Sequence, residues 1–386
     1  MVLSALLAVP AAASPQSRTR TAEAFALAYD LQFEASHETL AQAVEADPDD
    51  PAPQRAIAAV TWMEILFAQG VATFEAFTGD IPRNDVVRPA PPPALVARFH
   101  RSLKAAAMLA DRQLDRHDDA DGHYQVGATA ALASLYRATV EGRTMGALSQ
   151  GRRAVSAMED ARAHDPRMRE PALLLGMSEY TVSTLAWPLR TLAHMTGLSG
   201  DRTRALTLLR EAATPGSATE TDALLLLMLL EAREGRHANA VQRLRHLEQR
   251  YPRNRLLWLN HGAAALAADR PEEADDVLSR GISDRVWLAP PVVLGEAALW
   301  LAHRGTARAH LHRHADAIAD LQGGLAAAPR DWVTGRIHGE LGDIAAAAGE
   351  SERARREFQI ALTFSERSGD QIMTRRARRA LDTLGR

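Results

Sequence analysis

Three histidines at alternate positions, His310, His312 and His314, come nearest to a metal-binding spacing. His310 and His314 stand four apart, so on one continuous helix both imidazoles would share a face and offer zinc or copper two ligands. The pairing of helices developed below puts a turn near 312–315 instead. That separates them and leaves solvated turn histidines. The acidic run His117-Asp118-Asp119-Ala120-Asp121-Gly122 echoes a calcium loop. An EF-hand needs an oxygen ligand at its first position and a bidentate Glu at its twelfth, where this chain has His117 and Ala128. A solvated turn is the expectation, and no metal or cofactor is assigned.

Covalent and phosphate chemistry leave no trace. There is no GxxxxGK[ST] loop, no GxGxxG following a strand, no HExxH and no G-x-S-x-G elbow. Cysteine is absent, which excludes disulfides, thiolate zinc sites and cysteine nucleophiles. No catalytic residue is assigned and a non-enzymatic function is expected. Two charges, Glu179 and Arg190, lie in the most apolar stretch, Leu173 to Leu198. Eleven residues separate them, about 16 Å along a straight helix. Direct pairing is therefore out of reach unless Pro188 breaks the helix, and each is expected to meet a partner on a neighbouring helix. The aromatics Trp62, Phe67, Phe74, Phe77, Tyr136, Tyr180 and Trp187 fit two readings, an apolar pocket between N-terminal and central helices or plain core filler.

The elements that position these residues are helices. Ala and Leu dominate the 386 residues, aromatics are few and β-branched runs are scarce. A net charge of −3 is too small to imply a nucleic-acid or acidic-membrane partner. Lys104 is the only lysine. Residues 1–13 resemble a secretory signal, with an apolar core and small residues at Ala11 to Ala13, though no positive charge leads it. Export to the periplasm or beyond is the expectation, with a cytoplasmic location as the alternative. Helix pairs are read over 20–80, with Ser36 as a helix start. A proline-rich loop follows at 81–93 and longer helices fill 94–215; apolar hairpins are read at 57–77, within the N-terminal pairs, and at 173–198, within the central region. Regular pairs fill 216–369, and an arginine-rich capping helix spans 370–386. Pro188 and the two charges argue against a membrane span at 173–198.

The regular pairs resemble the tetratricopeptide repeat (TPR), whose period is 34 residues. Ala240 and Ala274 are 34 apart. The clearest unit carries Gly305, Ala317, Leu321, Gly324 and Pro329. The next carries Leu341, Gly342, Ala345, Gly349, Ala354, Phe358 and Ala361. A weaker one has Trp258, Gly262, Ala274, Leu278 and Gly281. Small residues let paired helices approach within about 8–10 Å, and large ones a turn away fill the space beyond. The resemblance implies an all-α fold, a right-handed α-solenoid of helix-turn-helix pairs. It further implies a concave face that binds a protein or peptide partner. The positions indicated there are Asn260, Arg304, Arg308, Arg336 and Glu340.

A second resemblance rests on the string His194-Met-Thr-Gly-Leu-Ser-Gly-Asp-Arg202, followed by Ala205-Leu-Thr-Leu-Leu-Arg-Glu-Ala. It looks like the "GFSG-N/D-R" segment of the eukaryotic inclusion-body-clearance family of TPR proteins, with Leu198 where that family has an aromatic. That family is linked with lipid droplets and aggregate clearance and has no agreed enzymatic activity. The likeness implies a hydrophobic small molecule or lipid as the alternative partner, bound by the apolar helices 57–77 and 173–198.

Overall fold

The computed structural model describes residues 14–70, 89–185, 187, 190–191, 197–284, 293 and 295–385. Residues 1–13, Phe74, Phe77 and most of the proline-rich loop 81–93 lie outside them. The described residues are all-α, with seventeen helices and no strand. They begin with α1 (Pro15–Tyr29), α2 (Phe33–Ala46), α3 (Pro51–Ala68), α4 (Pro93–Arg116), α5 (Ala120–Thr139) and α6 (Thr144–His164). Next come α7 (Pro171–Thr184), α8 (Arg202–Ala212), α9 (Glu220–Arg233), α10 (His237–Arg250), α11 (Arg255–Ala267) and α12 (Pro271–Ser283). The last five are α13 (Glu296–His310), α14 (His314–Ala326), α15 (Asp331–Ala347), α16 (Ser351–Ser368) and α17 (Gln371–Leu384). No helix among the described residues is long and apolar enough to cross a membrane.

Local chemistry sets these boundaries. Prolines open α1, α4, α7 and α12, where the missing N–H costs nothing. Side chains of Ser14, Asp119, Asp201, Asn254 and Asp370 cap other free N–H groups. Within pairs one turn recurs. A residue of positive φ (Leu31, Gly235, Asp269, His312, Gly349 or Gly369) precedes an N–H that reaches back to the last turn of the helix. Examples are Arg270 N to Ala265 O at 2.9 Å, Arg313 N to Arg308 O at 2.8 Å and Glu350 N to Ala345 O at 2.9 Å. This is the Schellman closure. His312 is thus a left-handed turn residue that parts His310 from His314.

Some sequence expectations change. Ser36 starts no helix: α2 begins at Phe33, and the buried Ser36 hydroxyl donates to Ala24 O of α1 at 2.7 Å. The acidic run shortens to 117–119, because Asp119 caps α5 and Ala120 already belongs to that helix. Within the stretch read as the hairpin 173–198, the described residues break early. α7 ends at Thr184, and Leu185 is extended with ψ 146°. Pro188 explains the break, because its ring would clash with the carbonyl four residues earlier, that of Thr184. In the hairpin read at 57–77, α3 stops at Ala68 and Gly70 follows with φ 63°; residues 71–77 lie outside the described ones.

The chain divides into two compact units, Met1–Ile65 with Pro91–Leu224, and Leu66–Ala90 with Leu225–Arg386. In the first, α5 packs along α6 and α7 along α8. Their core joins Ala128, Met158, Ala172, Leu175, Leu208 and Ala212. Phe99 stacks on Tyr136 at 3.9 Å between ring centroids in an adjoining cluster with Ile65 and Leu132. In the second, α11–α12, α13–α14 and α15–α16 are consecutive pairs, with α17 against α16. The first helices also touch one another in series, α11 to α13, α13 to α15 and α15 to α17. They form a continuous inner layer.

The glycines that mark the pairs act sterically. A Cβ on Gly262 would lie 2.6 Å from Leu278, one on Gly305 2.8 Å from Leu321, and one on Gly342 2.8 Å from Phe358. Each large residue follows its glycine by 16 positions, which is the signature of one repeated crossing. Between pairs, Arg255 and Glu296 form an ion pair at 2.7 Å with side chains only 2% and 3% exposed. Burial pushes the Glu296 carboxyl above its ordinary value, and Arg255 offsets only part of that.

Candidate functional site

The inner layer of the second unit encloses a groove of about 250 Å³. Its lining recurs at helical spacing: Ala263, Leu266 and Ala267 on α11, then Leu299, Ala302, His303 and Thr306 on α13. Trp332, Val333, Arg336, Ile337 and Glu340 follow on α15, and Ile372, Met373 and Arg376 on α17. The floor is apolar. Ile372 stands 46% exposed beside it, whereas Trp332 and Met373 are buried.

The polar wall is already paired. Arg336 Nε donates to Asp370 Oδ2 at 2.8 Å, and its guanidinium lies 5.2 Å from the Trp332 ring centroid. Arg376 Nη1 donates to Glu340 Oε1 at 2.6 Å, and its other terminal nitrogen bonds Asp343. Burial opposes the Arg376 charge, but Glu340 and Asp343 outweigh it and raise its pKa. An ion pair of this kind shapes a groove more than it recruits a ligand, since capturing its charge means breaking a bond already made.

Of the five positions indicated on the concave face, Arg336 and Glu340 line this groove. Arg304 and Arg308 turn instead toward the second helices. Arg304 Nε and Nη2 donate to the two oxygens of Asp320 at 2.8 and 2.6 Å. Arg308 bridges Asp275 at 3.0 Å and Asp320 at 2.8 Å, so it ties α13 to both α12 and α14. Asn260 is buried in α11 and is not among the lining residues. Sequence reasoning passed over Leu299, Ala302, Thr306 and Ile372, whose three-to-four-residue spacing on the first helices was the available signal.

Of the seven aromatics, the five described ones sit in different surroundings. Trp62 and Tyr136 belong to the Phe99 cluster, and Trp62 Nε1 donates to Thr139 Oγ1 at 2.9 Å. Phe67 is buried in the second unit, with the Arg255 guanidinium 5.0 Å from its centroid. Tyr180 is buried, and Trp187 is 72% exposed. A different apolar cavity exists in the first unit, about 280 Å³, between α5, α6 and α7. Leu135, Leu148, Val155, Leu174, Met177 and Leu185 are among its walls.

Glu179, the charge in the apolar stretch, has a structural explanation. Its carboxylate accepts from Ser199 Oγ at 2.7 Å and Asp201 N at 2.9 Å, with Arg204 Nε 3.4 Å away. Asp201 in turn caps α8 through Thr203 N and Arg204 N. A Cβ on Gly200 would come within 2.6 Å of Ser183 N. The Gly-Leu-Ser-Gly-Asp-Arg segment is therefore a clasp that locks the α8 start onto α7.

Sequence comparison finds neither a matching family model nor a matching curated protein. Solved structures do resemble the chain. The yeast Tom70 structure shares 10% identity at a TM-score of 0.40, covering 95% of this chain and 88% of that one. The human IFIT1 dimer with PPP-AAAA shares 14% at 0.43, covering 95% and 72%. A tetratricopeptide repeat protein from Parabacteroides merdae shares 12% at 0.29, covering 97% and 100%. The described residues form an all-α array of repeated helix-turn-helix pairs, the architecture that the tetratricopeptide resemblance implies. Repeated glycine crossings, repeated Schellman turns and first helices in series make that architecture a property of the chain itself.

Proposed function

We propose that this chain is a non-enzymatic interaction scaffold that holds a protein segment in the groove of its second unit. One observation carries the reading: four successive first helices present an apolar floor while Arg336, Glu340 and Arg376 on the wall already hold oppositely charged partners. Such a groove favours a segment that inserts apolar side chains, because burying them gains roughly 25 cal/mol per Å² without disrupting an ion pair. Display-selected peptides, mapped by hydrogen exchange on the purified chain, test it. Protection is expected in α11, α13, α15 and α17. Protection confined to the first unit would overturn the reading.

The first-unit cavity supports a second reading, a carrier of a small apolar molecule. Its walls are overwhelmingly apolar, and it borders part of the segment resembling the lipid-linked family. Solvent extraction and mass spectrometry of purified protein should then recover a lipid or similar molecule, in reduced amount from Ser178→Trp, which projects bulk into the cavity. Clean extracts from wild-type protein would sink this alternative.

A further inference from the structure

Three side chains from two helix ends meet at one corner of the first unit, and none of them lines the apolar cavity of that unit. Asp118 lies in the short loop before α5, His123 in the first turn of α5, and His164 is the last residue of α6. One ligand-capable atom from each lies within 4.8 Å of those of the other two. His123 Nε2 stands 2.8 Å from Asp118 Oδ1, and His164 Nε2 stands 3.7 Å from the same oxygen. The imidazole centroids are 5.1 Å apart. Donors about 2.0–2.2 Å from a tetrahedral zinc ion stand about 3.2–3.6 Å from one another. Side-chain rotations that close the longer separations would bring all three onto a common centre.

We propose that Asp118, His123 and His164 form a binding site for a divalent transition-metal ion of the zinc type. A fourth residue supports it. Asp160 Oδ2 lies 3.9 Å from His123 Nδ1, on the side of the ring away from Asp118. A carboxylate on that side of the ring is the kind that orients a metal-binding imidazole once it closes to hydrogen-bond distance. Asp160 and His164 are four residues apart on α6, so both project from one face of that helix. The scaffold is well held: α5 and α6 pack along each other, and Asp119 caps α5 by accepting from Gly122 N at 2.8 Å. The partial negative C-terminal end of α6 beside His164 is opposed by the partial positive start of α5 beside His123, so the two carboxylates rather than the helix ends supply the negative charge.

Two imidazoles and one carboxylate select a borderline metal over calcium, which takes six to eight oxygens. His123 is 16% exposed and His164 39%, so an ion has an open path and at least one coordination position left for water or another donor. The nearby sequence echo of an EF-hand thus marks a cation site of a different kind. It uses His123 and His164 in place of the oxygen ligands a calcium loop would need.

Calorimetric titration of untagged protein with zinc chloride, beside a calcium titration, tests the proposal. One saturable zinc site is expected, with no matching calcium event. His123→Ala and His164→Gln should each weaken zinc binding at least tenfold, and Asp160→Asn by about tenfold. His312→Ala, outside the cluster, should leave it unchanged. Cobalt(II) substitution gives an independent reading on wild-type protein, with visible absorption bands that zinc displaces. Absence of a saturable zinc site, or zinc binding indifferent to His123→Ala and His164→Gln, would reduce the cluster to a pair of His–Asp ion contacts and overturn the proposal.

Discussion

At the scale of the residue, the repeat is written in where a side chain is missing. Gly262 faces the branched end of Leu278, and a methyl there would meet three carbons of that side chain within 2.7 Å. Gly323, on the neighbouring pair, would meet only Leu301 at 3.4 Å, an ordinary contact. Glycine in a helix interior costs about 1 kcal/mol relative to alanine. Gly323→Ala should therefore be neutral or stabilising by up to about 1 kcal/mol. Gly262→Ala should lose about 1–3 kcal/mol to overpacking. Chemical denaturation of the two variants separates the effects, and equal shifts would show that the crossing is not tight. The glycine and large-residue pattern was legible in the sequence because both partners lie within one helix pair. Arg304 and Arg308 were not. They sit on the first helix, as a groove residue does, but their direction depends on Asp275 and Asp320 across the packing. The Arg308–Asp275 bond spans 33 positions. No local periodicity reports such a partner.

At the scale of the element, neighbouring helices are joined by titratable links, and His261 of α11 is the clearest. Its Nδ1 and Nε2 lie 2.7 Å from Glu248 of α10 and 2.7 Å from Glu273 of α12, with the imidazole almost fully buried. Burial alone would depress its pKa, but the two carboxylates outweigh that and raise it above 6.5. For Glu273, burial acts upward, yet His261 and Arg245 bring the pKa below 4.5. The raised histidine contributes stability that is fully present below pH 6.5 and lost as pH rises through its folded value. The lowered glutamate contributes stability present above pH 4.5 and lost as pH falls through its folded value. The network is strongest between those limits. Replacing His261 with Gln should consequently lower the melting temperature more at pH 5.5 than at pH 8.5. An equal loss at both would contradict the charged assignment. The helices themselves were largely legible from capping residues and periodicity. The clasp around Glu179 was legible only as an anomaly, a charge in an apolar run, because its partners Ser199 and Asp201 come from a turn 20 residues further on.

At the scale of the whole molecule, two compact units offer different surfaces. The second has an inner layer of first helices with a groove, and the first has an apolar cavity and a histidine–aspartate corner. Repeat architecture was readable because stacking imposes the same requirement on every pair. The groove floor was harder to read. Ala, Leu, Thr and Ile at three-to-four-residue spacing look the same whether they face a neighbour or a partner. The central claim is that the groove takes a partner segment through apolar contact. The affinity of a display-selected peptide for wild-type and groove-filled protein tests it most directly. Thr306→Trp places an indole in the groove, Ile372→Asp puts a charge at its edge, and Met145→Asp alters an exposed apolar residue of the first unit. The first two should weaken binding at least tenfold, about 1.4 kcal/mol, while Met145→Asp leaves it unchanged. Undiminished affinity in Thr306→Trp and Ile372→Asp, with both variants folded, would contradict the account.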